Sequence, residues 1–268
     1  MALPLFSQLL EKQFLVPFIV YFTFFRIANV LLKQKYWQNF EGFKKYRLHN
    51  LSICLLHSLI SGTWSLTFFL CNWRVMIEEL ATWNTYFAAQ LPLFSIAYFC
   101  HDAIDMLNYE WSRWTLELII HHLATCFSLS TGIVSKTFVL CDYWALLMEV
   151  NSIFLHCRTI MQISGQNKTN RHIFKIVLFL NIASFILFRF LTQIVFVYLI
   201  LFHFLPFMDS FYVIVALGGP IVFLIINGML FFRILASDGF LTEEWKSRAA
   251  ITRDSIREWK EEITHKTS

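Results

Sequence analysis

Ionisable side chains interrupt several apolar stretches of this sequence, where a charge is costly. The clearest cases are His121 and His122, side by side in LELIIHHLAT, and Asp102 in YFCHDAIDM. A charged side chain at bilayer depth costs roughly 2.5–3.5 kcal/mol on the mildest scale, so such residues pair, line an internal cavity or do chemistry. Imidazole gains and loses a proton near neutral pH, and a neighbouring carboxylate can orient it. The pattern therefore predicts an acid–base or nucleophilic site inside a membrane.

Eight residues are the candidates for this chemistry. The predicted catalytic residues are His121, His122, Asp102 and Glu149. In this hypothesis one histidine accepts or shuttles a proton or an acyl group, and a carboxylate sets its tautomer. The predicted substrate-binding residues are His57, Asp105, Asp142 and Asn151. Adjacent histidines on a helix diverge by about 100°, so they cannot both readily ligate one ion, and we predict no metal.

The depth of these residues predicts one shared chamber. With a helical rise of about 1.5 Å per residue, three of them and His156 lie about 8–12 Å from the predicted cytosolic ends of four different spans. The three are His57, Asp102 and His121. Asp142, Glu149 and His156 recur every seven residues, which predicts a polar stripe along one span. Convergence from four spans favours a cavity open to the cytosol. Separate interhelical hydrogen bonds are the alternative for each single polar residue.

Composition predicts an all-α, polytopic membrane protein. The 268 residues are 57% hydrophobic and only 15% charged, against about 25% charged in an ordinary soluble domain. A spanning helix needs about 20 apolar residues. We predict about seven transmembrane helices, over residues 14–32, 49–71, 85–107, 115–133, 137–161, 173–204 and 207–235. Pro92 predicts a kink in the third of these, and the run from Gly218 to Pro220 predicts one in the seventh.

Basic residues gather in alternate connections, which predicts the orientation. The connection after the first span holds the largest group: Lys33, Lys35, Lys44, Lys45 and Arg47. By the positive-inside rule the N-terminus is outside and the C-terminus is cytosolic. The glycosylation sequons at Asn50 and Asn167 then lie on the cytosolic side, and we predict that neither is used.

The remaining composition argues against other classes of protein and site. A formal net charge of +4 is too small to indicate a nucleic-acid partner. The six cysteines form no CxxC pair, which argues against zinc. We interpret them as buried apolar residues, with a Cys71–Cys141 bridge on the outer side as the alternative. Arg158 and Arg189 are interpreted as arginines that snorkel or pair.

The C-terminal segment, residues 242–268, is predicted to be a cytosolic amphipathic tail. Its apolar side chains recur at spacings of three and four, which is typical of a helix with one apolar face: Trp245, Ala249, Ile256, Trp259 and Ile263, with Thr252 on the same stripe. After Ala236 there are six Lys/Arg against seven Asp/Glu, which does not indicate a polybasic lipid anchor. We expect this helix to rest on the interface or on the bundle, with binding of a partner as the alternative.

Four motifs on successive predicted spans resemble the TLC domain. They are LHSLISGTWSL, YFCHDAIDM, LELIIHHLAT and EVNSIFLH, and the resemblance covers residues 42–241. Ceramide synthases and TRAM translocon proteins share this family, and the motifs are most similar to its membrane-fluidity regulators. The resemblance implies a six-helix TLC core around a polar cavity. Residues 1–41 would add an N-terminal transmembrane helix and a cytosolic loop.

The resemblance also implies a function in membrane lipid composition. The regulator subfamily is associated with the plasma membrane and limits the incorporation of polyunsaturated acyl chains into phospholipids. In ceramide synthases the histidines that match His121 and His122 support acyl transfer from acyl-CoA. Their HDxxDxxLE pattern is matched here by CDYWALLME, where Cys141 and Ala145 replace the first histidine and the second aspartate. We therefore expect a regulator of phospholipid composition in the plasma membrane rather than the endoplasmic reticulum.

Three alternatives follow from the same residues. The chain could be an acyltransferase of the ceramide-synthase type, so whether it is an enzyme stays open. Its expected partners are membrane lipids, with acyl-CoA as the candidate substrate, no further cofactor and no nucleic acid. A proton-coupled transporter could use the buried cluster as a relay, although the spans show no inverted repeat. A seven-helix receptor would share the span count and the orientation.

Overall fold

The structure is a computed structural model that describes residues 5–109 and 113–240, and the regular elements in this part of the chain are helical. A short 3-10 turn, Phe6–Leu10, precedes the first helix. The helices are α1 (Lys12–Lys35), α2 (Gly42–Cys71), α3 (Trp73–Glu78), α4 (Gln90–Tyr109), α5 (Arg113–Ser135), α6 (Val139–Leu146), α7 (Glu149–Ile163), α8 (Gln166–Thr169), α9 (Arg171–Phe204) and α10 (Ser210–Ser237). The predicted amphipathic tail, residues 242–268, lies outside the described residues.

Five of these helices are long and apolar enough to cross a membrane: α1, α2, α9, α10 and, within α5, Leu118–Ser135. The prediction of an all-α, multi-pass membrane protein is therefore confirmed. The count of seven spans stays a prediction. The two other predicted spans correspond to α4, which carries His101, Asp102 and Asp105, and to the pair α6 and α7.

Helix α2 packs closely along α7, because small residues line the face between them. Gly62 marks the closest approach. A Cβ atom added to it would lie 2.9 Å from the backbone carbon of Glu149 and 2.9 Å from the backbone nitrogen of Val150. Ser58, Ser61 and Ser65 are buried on α2 around this glycine. This contact brings the polar face of α2 against the start of α7, where Glu149 is the first helical residue.

The predicted fifth span, residues 137–161, is not one regular α-helix. Helix α6 ends at Leu146 and α7 begins at Glu149, with Leu147 and Met148 in a tightened turn. Backbone bonds of the shorter i to i+3 type mark the turn, such as Met148 N–H to Ala145 O at 3.3 Å. The hydroxyl of Ser65 donates to the carbonyl oxygen of Leu146 at 3.2 Å. A polar side chain of α2 thus satisfies a carbonyl at the break, as an apolar surrounding requires.

The prediction of a kink at Pro92 is wrong. Helix α4 begins at Gln90, so Pro92 lies in its first turn. The backbone nitrogens of a first turn have no partner within the helix, and a proline there removes no hydrogen bond. Helix α4 packs against both α1 and α5, and it is therefore the element that carries Asp102 into the interior.

The long helix α9 changes its winding twice. The segments Ile186–Leu191 and Ile200–Phe204 are π-helical, and the first of them contains Arg189. Such wide turns inside α-helices are frequent at functional sites. All six cysteines are free thiols, so the alternative of a Cys71–Cys141 bridge is not realised.

The chain divides into two units, residues 1–220 and 221–268. The candidate site lies wholly in the first. The described part of the second unit consists of the end of α10, through Ser237, and the three residues that follow it. Helix α10 contains Pro220 and is helical on both sides of it.

Candidate active site

A buried acid–imidazole pair joins α4 to α5. The Nε2 atom of His122 lies 3.2 Å from Oδ2 of Asp102, and the two residues are only 4% and 2% exposed. The ring of Phe99 packs against the His122 ring at 5.1 Å between centroids. Water is thereby kept from the pair, which strengthens its electrostatic attraction.

The hydrogen bonds of His122 define what this pair can do. Its Nδ1 lies 2.7 Å from the carbonyl oxygen of Leu118, which can only accept, so Nδ1 carries a hydrogen. The Nε2 atom faces the carboxylate of Asp102, so a second proton taken up by the pair would lie between these two atoms. This shared proton is the one that can be exchanged with a substrate, because the first is committed to the backbone.

A hydrogen-bonded chain holds the carboxylate from the other side. The amide nitrogen Nδ2 of Asn50 donates to Oδ1 of Asp102 at 2.5 Å, and Nη1 of Arg47 donates to Oδ1 of Asn50 at 2.9 Å. Each oxygen of Asp102 therefore has a separate partner on a different helix. The arrangement fixes the carboxylate toward His122 and extends from the buried pair to the beginning of α2.

A second acid–imidazole contact joins α2 to α7. The Nδ1 atom of His57 lies 3.7 Å from Oε2 of Glu149, and the same oxygen accepts a hydrogen bond from the hydroxyl of Ser58 at 2.6 Å. On its other side, Nε2 of His57 is 3.2 Å from the hydroxyl oxygen of Ser95 on α4. The ring of Tyr98 stacks on the imidazole at 3.9 Å between centroids, nearly parallel. Ring stacking and two polar contacts therefore fix the orientation of His57.

Electrostatic interactions connect the two contacts into one cluster. His57 interacts with Glu149 and also with Asp102 and His122. Glu149 in turn interacts with His57, His156 and Arg189. The cluster is closed at His57, which is 1% exposed, and more accessible at Glu149, whose side chain is 18% exposed.

The two adjacent histidines serve different neighbours, as their divergence on a helix predicts. The rings of His121 and His122 have their centroids 5.7 Å apart, and their planes lie at 74° to each other. His121 is half-buried and interacts electrostatically with Arg189 and Glu149, whereas His122 is paired with Asp102. The catalytic roles predicted for His121, His122, Asp102 and Glu149 stay predictions.

Two of the predicted substrate-binding acids lie apart from the cluster. Oδ1 of Asp105 accepts hydrogen bonds from Nδ2 of Asn29 and from Nζ of Lys33, both at 3.0 Å, which ties α4 to α1. Asp142 is buried against Gly132 of α5, and its Oδ2 has no hydrogen-bond partner among the described residues. The predicted stripe from Asp142 to Glu149 is therefore divided between two neighbours, because the turn before α7 changes the helical phase.

The predicted substrate-binding residue Asn151 is connected to the cluster through a hydrogen bond from Arg189. Its Nδ2 donates to the carbonyl oxygen of Asn181 at 2.9 Å and to the hydroxyl of Ser184 at 3.0 Å. Its Oδ1 accepts from Nε of Arg189 at 2.6 Å, and Nη2 of the same guanidinium donates to Ser152 at 2.8 Å. The amide thus positions the guanidinium that interacts with Glu149. The interpretation of Arg189 as an arginine that snorkels or pairs stays a prediction.

The sequence-based prediction missed Asn50, Ser58 and Ser95 as members of the site. One signal was present for Asn50, which precedes His57 by seven residues and therefore lies on the same face of a helix. Ser58 is adjacent to His57 and diverges from it by about 100°, so it gave no such signal. Ser95 gave no signal, because a single serine in an apolar helix is common. Among the described residues, no group of three or more His, Cys, Asp or Glu could hold a metal ion.

The TLC domain profile matches residues 47–236, which is most of the chain and includes every residue of the cluster. The chain belongs to the TLC domain family. This TLC protein is 32% identical over 175 residues to TLC domain-containing protein 1 of Mus musculus, an alignment that covers 64% of the chain and 69% of the mouse protein. To the Homo sapiens protein of the same name it is 32% identical over 155 residues, with 57% and 61% covered.

TLC domain-containing protein 2 of Danio rerio is also similar, with 30% identity over 168 residues that cover 62% of this TLC protein and 66% of the fish protein. The chain therefore aligns with somewhat less than two thirds of the human and fish relatives. Together with the apolar helices, the family assignment makes this TLC protein an integral, multi-pass membrane protein of a lipid-related family.

Proposed function

We propose that this TLC protein regulates the composition and fluidity of membrane phospholipids and limits the incorporation of polyunsaturated acyl chains. It would do so by binding or transferring acyl chains at the Asp102–His122 pair. The observation that carries this proposal is the pair itself, buried between α4 and α5 with its carboxylate held by Asn50. A buried pair of ionisable groups is costly at this depth. Two helices could be joined by a neutral hydrogen bond at a lower cost, so the pair indicates a further role.

The chemistry expected of the pair is proton transfer at a lipid hydroxyl or acyl carbonyl. The Asp102–His122 pair would take the proton of an attacking hydroxyl, hold it between Oδ2 of Asp102 and Nε2 of His122, and return it to the leaving group. Burial would protect a reactive acyl intermediate from water. The acyl donor would be acyl-CoA or a phospholipid, and in the binding version the same groups would hold the polar end of an acyl lipid.

The proposed location is the plasma membrane, with the N-terminus outside and the C-terminus in the cytosol. The basic residues between α1 and α2 support this orientation. The Asp102–His122 pair would then lie nearer the cytosolic ends of α4 and α5, on the side where acyl-CoA and the inner lipids are found.

Lipidomics of cells that lack the protein tests the proposal. Wild type, His122→Gln and Asp102→Asn are reintroduced at equal abundance, with Leu123→Ala as the matched control. Leu123 is the next residue on α5 and is 64% exposed, so its truncation leaves the pair intact. We expect wild type and Leu123→Ala to lower the polyunsaturated fraction of phospholipids, and the two pair variants to lose most of this effect. If both pair variants act like wild type, the proposal is wrong.

A second experiment separates transfer from binding. Purified protein in lipid nanodiscs is incubated with acyl-CoA and lysophospholipid, and the diacyl product is followed by mass spectrometry. Product that depends on His122 supports acyl transfer. Retention of acyl lipid without product, lost in His122→Gln, supports the binding version.

A further inference from the structure

We propose that Ser95, His57 and Glu149 form a serine-nucleophile site that accepts an acyl group from the ester of a membrane phospholipid. The three residues come from α4, α2 and α7 and meet without the Asp102–His122 pair. The geometry is that of a nucleophile, a base and an orienting carboxylate in series: Ser95 Oγ lies 3.2 Å from His57 Nε2, and His57 Nδ1 lies 3.7 Å from Glu149 Oε2. This order of groups is the one that activates the serine hydroxyl in Ser-His-Asp and Ser-His-Glu enzymes.

The neighbours of His57 select the tautomer that the reaction needs. A carboxylate oxygen faces Nδ1, so the ring hydrogen is favoured on that nitrogen. The Nε2 atom then has a free lone pair, and the hydroxyl of Ser95 donates to it. Tyr98 stacks on the ring at an interplanar angle of 7° and prevents the rotation that would exchange the two nitrogens.

Ser58 supports the carboxylate rather than the nucleophile. Its hydroxyl donates to Oε2 of Glu149 at 2.6 Å, and this bond holds the oxygen that faces His57. The site thus contains two serines with different partners, one on the imidazole and one on the carboxylate.

The reaction is a two-step transfer of an acyl group. In the first step Ser95 Oγ attacks the ester carbonyl carbon and its proton passes to His57 Nε2. The carbon–oxygen bond to the glycerol breaks, and the same proton goes to the leaving oxygen, which releases a lysophospholipid. In the second step a lysophospholipid hydroxyl attacks the acyl-serine, gives its proton to His57, and Ser95 recovers a proton as the new ester forms. No oxidant, metal or coenzyme is consumed.

The site is closed in the structure, with Ser95 fully buried and His57 1% exposed. Its accessible member is Glu149, the first residue of α7, directly after the turn at Leu147 and Met148. Such a break lets a helix bend with little loss of hydrogen bonds. Movement of α7 at this turn would admit an ester from the side of the helix bundle, and its return would restore the contact between Glu149 and His57 before the reaction.

The choice of a phospholipid ester rests on the proposed function, whereas the reactivity of Ser95 does not. A phospholipid reaches a site between membrane helices laterally from the bilayer, and the acyl chain stays among apolar side chains throughout. Transfer between phospholipids would change which acyl chains they carry without using free acyl-CoA. A protein that matches the ceramide-synthase pattern only in part could change phospholipid composition in this way.

The test is covalent labelling of the full chain in phosphatidylcholine nanodiscs with a long-chain alkyl fluorophosphonate. This reagent forms a stable bond to an activated serine with loss of fluoride, and peptide mass spectrometry locates the adduct. We expect the adduct on Ser95, none in Ser95→Ala, and a labelling rate about 10²-fold lower in His57→Gln, since a positioned base contributes at least that factor. Ser164→Ala is the matched control and should keep the Ser95 adduct, because Ser164 lies directly after the end of α7, about 22 Å along the helix from Glu149.

Thermal unfolding of each variant in the same nanodiscs establishes that it is folded before labelling is compared. A folded wild-type protein without an adduct on Ser95, or equal labelling rates in wild type and His57→Gln, would overturn the proposal. An adduct that disappears in Ser58→Ala but persists in Ser95→Ala would also overturn it. Labelling is independent of the lipid profile of cells, so this site and the function proposed for the Asp102–His122 pair can fail separately.

Discussion

At the scale of single residues, the candidate site depends on neutral side chains that hold charged ones. Asp102 has one oxygen on His122 and the other on the amide of Asn50, and Glu149 depends in the same way on Ser58. A buried carboxylate without such donors would be expensive, because the interior offers no water in their place. The neutral residues are therefore part of what makes the charged ones tolerable.

Replacing Asn50 should measure this support. Asn50→Ala removes the 2.5 Å hydrogen bond to Asp102 and leaves a buried carboxylate oxygen without its donor. We expect the free energy of unfolding to fall by about 1–3 kcal/mol, the usual cost of an unsatisfied buried group. Denaturant titration in detergent micelles gives the value. Asn170→Ala is the control, since Asn170 is exposed and its side chain caps no helix; a change there as large as at Asn50 would contradict the explanation.

The candidate site could be predicted only in part at this scale. The costly residues His122, Asp102, His57 and Glu149 are visible in the sequence as ionisable groups in apolar stretches, and the structure brings them into one cluster. Which acid meets which imidazole depends on how the helices are rotated, and a sequence does not contain that rotation. For the same reason the seven-residue spacing placed Asp142 and Glu149 on one polar stripe, although Asp142 is buried against Gly132.

At the scale of helices, the contact between α2 and α7 determines where Glu149 meets His57. Gly62 allows the two backbones to approach, and no other residue would leave room for the backbone at Glu149 and Val150. The sequence predicted both spans but not this contact. It also predicted one continuous fifth span, because the pattern of apolar residues runs through Leu147 and Met148; the turn there is completed by Ser65 from another helix.

Enlarging Gly62 should therefore separate the two helices. Gly62→Ala places a methyl group 2.9 Å from backbone atoms that cannot rotate away. We expect a loss of about 1–3 kcal/mol in unfolding free energy, as for other overpacked sites. Gly218→Ala is the matched control, because nothing lies within 4 Å of the added atom. Thermal unfolding in nanodiscs compares the two, and equal melting temperatures for both variants would show that α2 and α7 are not limited by this glycine.

At the scale of the whole molecule, the arrangement in the membrane follows from the distribution of charge along the chain. The sequon at Asn50 illustrates how structure adds to that prediction: its side chain is 3% exposed and bonded to Asp102 and Arg47, so it cannot carry a glycan in the folded protein.

Cysteine labelling of intact cells tests the orientation. Tyr86, between α3 and α4, is 58% exposed and predicted to lie outside, whereas Lys168, in α8, is exposed and predicted to be cytosolic. In a Cys71→Ala background, Tyr86→Cys should react with a membrane-impermeant maleimide before the cells are permeabilised, and Lys168→Cys only afterwards. Early labelling at Lys168→Cys would reverse the orientation, and no early labelling at either position would contradict a plasma-membrane location.

The position beside Asp142 has a consequence for how this chain can change over time. A methyl group on Gly132 would lie 2.8 Å from Cγ of Asp142, so the carboxyl group occupies the room that any larger residue at 132 would need. Gly132→Ala alone should destabilise the protein, and Asp142→Ala in the same chain should recover part of the loss, with a coupling free energy of about 0.5–3 kcal/mol in a double-mutant cycle. Positions 132 and 142 are therefore expected to change together in evolution. A larger residue at position 132 becomes acceptable only after a smaller residue has replaced Asp142.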